Sequence, residues 1–341
     1  MAWQKVKIQR DNGLIADAQA PVIISASRST DIPAFYADWF FHRLEKGYCA
    51  WTNPFNGVQS YVSFQNMRFV VFWSKNPRPL LPLLHKLDER GIGYYIQYTL
   101  NDYVKEGLER GVPPLDERID TFKRLVDQIG FGRVIWRFDP LMLTDRITTD
   151  DLLKKIENIG NQLKGYTERM VFSFADISSY KKVKANLEIN HVNYVEFDES
   201  TMNIMAQGIS DLNKNWRYQL GTCAERIDLS RYGIEHNRCI DDRLMVKYFS
   251  HDHKLMEFLG ATIIPADLFH PEEQVIFSKN NKDKGQRQFC GCIMSKAIGQ
   301  YNTCPHLCEY CYANTTKAIA VRNHKLHMEN PFNENILGGA K

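Results

Sequence analysis

From Pro21 onward the chain alternates short apolar runs with longer amphipathic stretches, and that alternation predicts most of its elements. Seven runs rich in Val, Ile, Phe, Tyr and Trp read as strands: VIISAS (22–27), YCAWTN (48–53), VVFWS (70–74), GYYIQYTL (93–100), RVIWRF (133–138), RMVFSF (169–174) and RYQLGT (217–222). β-Branched and aromatic side chains suit a pleated, packed surface. Several of these runs are apolar on both faces, as the strands of a buried parallel sheet are. The stretches between them read as helices. Residues 33–46 start at Pro33, just after Asp31, and stop before Gly47; 79–90 stop before Gly91; 116–129 open on Asp116 and Glu117 and stop before Gly130; 149–164 open on Thr149, Asp150 and Asp151. The strand–helix unit repeats at least five times before residue 225, which predicts an α/β fold on a parallel sheet. The repetition favours a partial or full (β/α) barrel over two separate domains.

The same pattern divides the chain. Residues 1–20 are polar and read as an arm, 21–225 carry the main barrel portion, 226–322 are irregular and rich in cysteine, and 323–341, with NPFNEN and GG, read as a surface tail. The segment SKNNKDKGQRQF (278–289) reads as a solvated loop, or as one ordered by an anionic ligand. There is no internal repeat and no low-complexity stretch.

Composition narrows the classes. Of 341 residues, 44% are apolar and 24% charged, a profile that excludes intrinsic disorder. Lys and Arg total 43 against 40 Asp and Glu, a net charge of +3, so the overall balance does not favour a nucleic-acid partner, although the stretch Lys279 to Arg287 is locally basic. The longest apolar runs, such as Phe69 to Trp73, fall far below the roughly 18 residues of a membrane span, and the first residues, MAWQKVKIQRDNG, lack an apolar core of signal-peptide length. These features predict a cytoplasmic protein with no membrane partner, in a compartment where thiols stay reduced.

In that compartment the eight cysteines carry information. Five of them lie within 22 residues, and Cys304, Cys308 and Cys311 form CPHLCEYC, a CxxxCxxC spacing. Three thiolates so close can converge only if the backbone loops around a common ligand. Structural zinc wants four protein ligands, here the triplet plus His306 or Cys292. A [4Fe-4S] cluster can be held by three thiolates, with its fourth iron left open. Cys223, Cys239, Cys290 and Cys292 would make a full set for a second, closed site, an auxiliary [4Fe-4S] cluster or a zinc ion, with iron–sulfur preferred; Gly291 lets the CGC backbone turn tightly. Cys49 reads as a buried thiol in an apolar strand, or as a hydrogen-atom donor facing a barrel interior.

The triplet, with Tyr310 just before its last cysteine, resembles the signature of the radical S-adenosylmethionine superfamily. The segments SASRSTDI (25–32), VVFWSKNP (70–77), LERGVPPLDERIDTFKRL (108–125) and WRFDPLML (136–143) are similar, in that order, to the spore photoproduct lyase branch. The resemblance covers most of 22–145 and again 296–316. Nearly the whole chain is also similar to an uncharacterised bacterial family, a domain of unknown function with a C-terminal cysteine cluster. There are departures: Arg110 follows Leu108-Glu109 where the lyase branch has proline, and Ser74-Lys75 stands for Thr-Lys.

The resemblance implies a [4Fe-4S] cluster on Cys304, Cys308 and Cys311, S-adenosylmethionine as cofactor, Tyr310 near the adenine, and an electron donor such as flavodoxin or ferredoxin. It implies an enzyme that forms a 5′-deoxyadenosyl radical and abstracts hydrogen from a substrate it does not identify. A lesion-processing lyase acting on nucleic acid and a non-catalytic metal-binding barrel are the other readings. Superfamily members carry the triplet after the first barrel strand, so its place near the C-terminus implies circular permutation, with KAIGQYNT (296–303) as first strand, 312–322 as first helix and VIISAS as second strand. Residues at strand C-termini face a barrel's site. On that ground Ser27, Arg28, Thr30 and Asp31, then Lys75 with Asn76, then Arg137 and Asp139 are candidates to bind the cofactor's ammonium, carboxylate and ribose. Asp31 doubles as a helix cap before Pro33, and an Arg137–Asp139 pair is not expected unless their side chains meet. Glu225, Arg226, Asp241 and Asp242 flank the second cysteine group. His251, His253, His270 and His306 are scattered and receive no ligand role.

Overall fold

Runs that are apolar on both faces become the strands of one sheet, covered on each side. The computed structural model describes residues 3–266 and 273–338. In chain order its strands are β1 (Lys5–Gln9), β2 (Ile15–Gln19), β3 (Ile23–Ala26), β4 (Tyr48–Thr52), β5 (Gln59–Ser63), β6 (Phe69–Ser74), β7 (Gly93–Thr99), β8 (Val134–Leu141), β9 (Leu143–Thr144), β10 (Arg169–Phe174), β11 (Tyr194–Val195), β12 (Gln219–Thr222), β13 (Ile234–His236), β14 (Ala261–Ile264), β15 (Gln274–Phe277) and β16 (Lys296–Ala297). Among the described residues, eight of them form one sheet in the order β13-β12-β10-β8-β7-β6-β3-β16. Every neighbouring pair in it is parallel. No pairing among the described residues joins β13 to β16, so the architecture is a mixed α/β fold compatible with a partial α/β barrel. The last strand in the chain, β16, pairs with β3, the first strand of this sheet, through Lys296↔Ile24 and Ala297↔Ser25.

Alternation along each strand sorts residues between the two faces. Ile24, Val70, Phe72, Ile96, Trp136, Met170 and Phe172 pack in one core with the helices Ala37–Lys46, Leu115–Ile129, Thr149–Leu163 and Glu199–Trp216. The helix Thr149–Leu163 buries Leu152, Ile156, Ile159 and Leu163, a 4-3-4 spacing that forms one helical stripe. It starts at a capping box in which Asp151 N–H donates to Thr148 Oγ1 at 3.2 Å and Thr148 N–H to Asp151 Oδ2 at 3.0 Å. On the opposite face Ile23, Phe69, Val71, Tyr95, Ile135 and Val171 pack against the helices Asp242–Phe249 and His253–Leu259.

Several expectations are corrected here. YCAWTN is a strand, β4, but it joins a separate sheet of order β1-β2-β5-β4, antiparallel to β5; a short apolar run does not say which sheet it enters. The segment expected as an arm forms the β1–β2 hairpin with register Lys5↔Gln19 to Gln9↔Ile15. One face of β1 is wholly solvated, so its alternation of half-buried Val6 and Ile8 with exposed Lys5, Lys7 and Gln9 is masked by polarity. The expected tail begins inside the helix Lys317–Glu329, and Ile336 beyond it is buried.

Both ends of the chain meet at Arg43, which is fully buried. Its guanidinium lies 2.6 Å from Asp11 Oδ2, and its Nε donates to the Tyr48 carbonyl at 3.0 Å. Tyr48 OH donates in turn to Glu334 Oε1 at 2.6 Å, and Arg10 Nη2 pairs with Glu334 at 3.0 Å. Asp11 is exposed and can be solvated once unpaired, so the cost lies in the hole left by a fully buried side chain, and Arg43→Ala is expected to lower unfolding free energy by about 3 kcal/mol. Urea denaturation checks it; a loss under about 0.5 kcal/mol, the scale of ordinary surface changes, would refute the role.

Candidate functional site

The sheet's carboxyl ends are polar on the face where its lower part is apolar: Ser25, Gln97 and Arg137 are all almost fully buried there. The cysteine loop comes to this end because β16 sits beside β3 and leads into residues 298–311. There the loop lies against the turn after β7. Glu109 and Cys308 form an antiparallel bridge, Glu309 N–H donates to Leu108 O at 2.9 Å, and Gly111 N–H donates to His306 O at 2.9 Å.

Asp31 is the hub of this end. Its Oδ1 accepts from Ala34 N–H at 3.0 Å and Ser74 Oγ–H at 2.7 Å, and its Oδ2 from Lys75 N–H at 2.7 Å. His306 Nε2 lies 2.8 Å from the same Oδ2, while His306 Nδ1 lies 3.1 Å from Gly111 O. Asp31 thus caps the helix Ile32–Phe35, as the sequence suggests, and through His306 it also positions the cysteine loop. His306, which the sequence leaves without a role, is a strut. With both nitrogens engaged it is not available as the fourth ligand of a zinc knot.

Lys75 is also tied to the chain, through two of its three N–H donors. Its Nζ donates to Glu109 Oε1 at 2.7 Å and to Tyr310 OH at 2.9 Å. Tyr310 OH also donates to Glu109, and Asn101 Nδ2 donates to Tyr310 OH at 3.1 Å. The Glu109 side chain is fully enclosed, with Arg118 Nη1 4.0 Å from its other oxygen. Burial alone would raise its pKa, but Lys75 and Arg118 outweigh that and hold it at about 2. Tyr310 is thus fixed by a buried charge network beside Cys308, and burial pushes its own hydroxyl well above the usual range.

Arg137 and Asp139 do meet: the guanidinium pairs with Asp139 Oδ2 and also donates to Gln97 Oε1 at 3.2 Å. Asp139 further accepts from Ser173. A buried guanidinium needs several partners, and Asp139 on its own strand, Gln97 on β7 and Cys239 after β13 supply them. Arg28 stacks on Trp73, 5.2 Å from the ring centroid. Ser27 Oγ lies 3.2 Å from Ser29 Oγ.

The second cysteine group gathers on the same face. Cys223 Sγ and Cys239 Sγ are 3.5 Å apart, and Ile240 N–H, beside Cys239, donates to Cys292 Sγ at 3.4 Å. Of the acids expected near it, Asp241 caps the helix Asp242–Phe249 and pairs with Arg169 at 2.7 Å, and Asp242 pairs with Arg238 at 2.7 Å. Glu225 accepts from Phe174 N–H at 3.0 Å, and burial lifts it to about 7. Arg226 is exposed. Cys49 lies on β4 in the side sheet, packed in the helix-side core, where burial pushes its thiol up to about 12; it does not face the barrel interior. His270 lies outside the described residues.

Asn101, Gln97 and Ser173 escaped the sequence reading, because single amides and hydroxyls in strand ends carry no spacing signal. Among the described residues, no group of three or more His, Cys, Asp or Glu side chains stands arranged to hold a metal ion. The chemistry of the triplet fits a cluster, with three free thiols on one loop at the carboxyl ends, and Ser25 Oγ, Thr30 Oγ1 and Asn314 Oδ1 are buried with no hydrogen-bond partner. Such orphaned oxygens are costly unless a ligand uses them.

A parallel α/β sheet with a cysteine-bearing loop braced at its carboxyl end defines the class. The chain belongs to the family described as Domain of unknown function (DUF1848), whose model matches residues 23–313. No curated protein matches the chain. Among solved structures, one from Bacteroides thetaiotaomicron, provisionally assigned as an alpha-L-fucosidase, is similar at 11% identity with a TM-score of 0.26, covering 75% of this chain and 96% of that one. Among the described residues, no helix is long and apolar enough to cross a membrane.

Proposed function

We propose that the protein is a radical S-adenosylmethionine enzyme built on a circularly permuted barrel, with Cys304, Cys308 and Cys311 as ligands of a [4Fe-4S] cluster. The observation that carries the reading is the bracing of the cysteine loop by residues following three successive strands: Asp31 after β3, Lys75 after β6 and Asn101 after β7. A loop serving only as a surface staple needs no such buried network at the carboxyl ends of a parallel sheet. The order β16-β3-β6-β7-β8 supports the permutation, since β16 stands where a first strand would, one strand before the N-terminal β3.

Cys304, Cys308 and Cys311 would hold the cluster, which would supply one-electron reduction of S-adenosylmethionine, with the electron coming from a donor such as flavodoxin or ferredoxin, as the start of hydrogen abstraction. This chain's own residues do the rest. The three thiols give up their protons on binding. Ser25 and Thr30 offer free hydroxyl oxygens to a polar ligand, Ser27 and Arg28 lie next to them, and Tyr310 presents a ring fixed by Glu109 and Lys75. Asp31 and Lys75 act on the loop, and Arg137 and Asp139 form the polar floor.

Anaerobic reconstitution with iron and sulfide tests this. About four irons per chain and reductive cleavage of S-adenosylmethionine are expected, both lost in the Cys304→Ala, Cys308→Ala, Cys311→Ala variant. Wild-type protein that binds no cluster, or binds one and cleaves no S-adenosylmethionine on reduction, refutes the assignment.

A further inference from the structure

The second cysteine group has a geometry of its own. Cys223 follows β12, Cys239 follows β13, and Cys290 and Cys292 come from a loop some fifty residues further on, yet Cys223 Sγ and Cys239 Sγ lie 3.5 Å apart and Ile240 N–H, next to Cys239, donates to Cys292 Sγ at 3.4 Å, so the four thiols collect in one place even though they are not spaced as the ligands of an ion and must turn to close on one. Cys239, Cys290 and Cys292 are buried. We propose that these four thiols form a closed, mononuclear tetrathiolate site for a zinc-class divalent cation, independent of the cysteine triplet.

Three observations converge on it. The first is sulfur spacing. A tetrahedral ion with Zn–S bonds of about 2.3 Å brings its sulfurs to about 3.8 Å from one another, close to the 3.5 Å between Cys223 and Cys239. In a four-iron cluster each thiolate sits on a different iron, and its sulfurs are held well apart. Touching sulfurs therefore favour a single ion over the auxiliary cluster that the sequence suggests. The second is the set of donors aimed at sulfur. Arg137 Nη1 donates to Cys239 Sγ at 3.1 Å, Ile240 N–H to Cys292 Sγ at 3.4 Å, and Asn237 Nδ2 to Cys239 Sγ at 3.5 Å. Neutral thiols accept weakly; thiolates carrying a metal need such donors to offset their charge. Four thiols binding one divalent cation release four protons and leave a net charge of −2. Arg137, shared with Asp139, lies against that charge, and Arg28 approaches it from β3.

The third is location. Cys292 O accepts from Asp283 N–H at 2.9 Å, and Ile293 N–H donates to Ile240 O at 3.1 Å, so the site joins the 281–293 segment to the chain after β13, at the unpaired edge of the main sheet. Gly291 sits where an added Cβ would come 2.7 Å from Arg238 Cγ, so the CGC backbone runs close under that side chain. An ion here clamps an edge that strand pairing leaves open.

The test uses full-length protein, wild type and the Cys304→Ala, Cys308→Ala, Cys311→Ala variant, purified without added metal. Elemental analysis with sulfide counting is expected to give about one zinc per chain in both, with no labile sulfide in the variant. A mercurial reagent that modifies the thiols should release that zinc to a colorimetric chelator. Adding Cys223→Ser and Cys292→Ser should abolish it. If that variant fails to fold, cobalt exchange into the triple variant decides instead, with thiolate-to-metal charge-transfer bands and tetrahedral d–d bands expected. Four irons with sulfide in the triple variant, zinc retained without Cys223 and Cys292, no cobalt spectrum, or a Cys223–Cys239 disulfide in its place would each overturn the proposal. Because the triplet is absent from the deciding variant, failure here leaves the cluster reading untouched, and the reverse holds.

Discussion

Glu109→Gln is expected to lower the unfolding free energy by about 3–5 kcal/mol, the range for breaking a buried ion pair from one side. The substitution keeps volume and shape, so the loss is a loss of charge. The carboxylate is enclosed, with Lys75 at 2.7 Å and Arg118 at 4.0 Å. Without its charge two buried cations have no anion between them, and Tyr310 and Asn101 keep only a neutral amide oxygen as acceptor in place of the carboxylate. The sign of the pH effect follows. The folded-state pKa of about 2 lies below the ordinary 4.5, so the contribution is fully present above about pH 4.5 and fades as the pH falls toward 2. The Gln variant should lose that acid-dependent part of its stability curve. A double-mutant cycle with Lys75→Met isolates the pair: the second change should cost much less in the Gln background than in the wild type. A Gln variant within about 0.5 kcal/mol of wild type at pH 7 would show that the network carries no weight.

How much of this was legible beforehand depends on where information sits. Strands buried on both faces declare themselves, because each position must be apolar; β3, β6, β7, β8, β10 and β12 all fall within the runs read as strands or within a few residues of them. Helices with a stripe and a glycine stop are as clear, as at Leu115–Ile129, whose C-cap Gly130 has φ +96°. The later helices Glu199–Trp216 and Asp242–Phe249 carry a weaker signal, since the first exposes most of its surface and the second lies in a cysteine-rich stretch without strand punctuation. At the site, spacing gave the two thiol groups and the strand-end polar residues. It could not give the partners. That Asp31 serves His306, that Lys75 serves Glu109, and that Arg137 reaches Cys239 from a strand a hundred residues away are consequences of the parallel stacking order, which no local pattern contains.

The same stacking makes one glycine decisive. Gly111 lies where the turn after β7 meets the cysteine loop, and its ideal Cβ would fall 2.5 Å from Pro305 O, 2.8 Å from His306 O and 2.9 Å from His306 C. All three are backbone atoms, and they lie between Cys304 and Cys308. No rotamer change relieves the overlap, so in Gly111→Ala the loop itself must move by several tenths of an ångström. It is not free to do so cheaply, because His306 is tied to Asp31 at 2.8 Å and Glu309 N–H to Leu108 O at 2.9 Å. Overpacking of this kind costs about 1–3 kcal/mol. The larger consequence falls on ligand geometry, since a cluster tolerates little displacement of its thiolates. Gly111→Ala is therefore expected to fold with reduced stability and, after reconstitution, to hold well under half of the wild-type iron. Gly285→Ala is the control: its Cβ meets only Asp283 Oδ1, at 3.3 Å, a side chain that can turn aside, and its iron content should match wild type. Full iron loading in Gly111→Ala with unchanged stability would mean that the turn after β7 neither sets the loop's position nor braces the cysteine triplet.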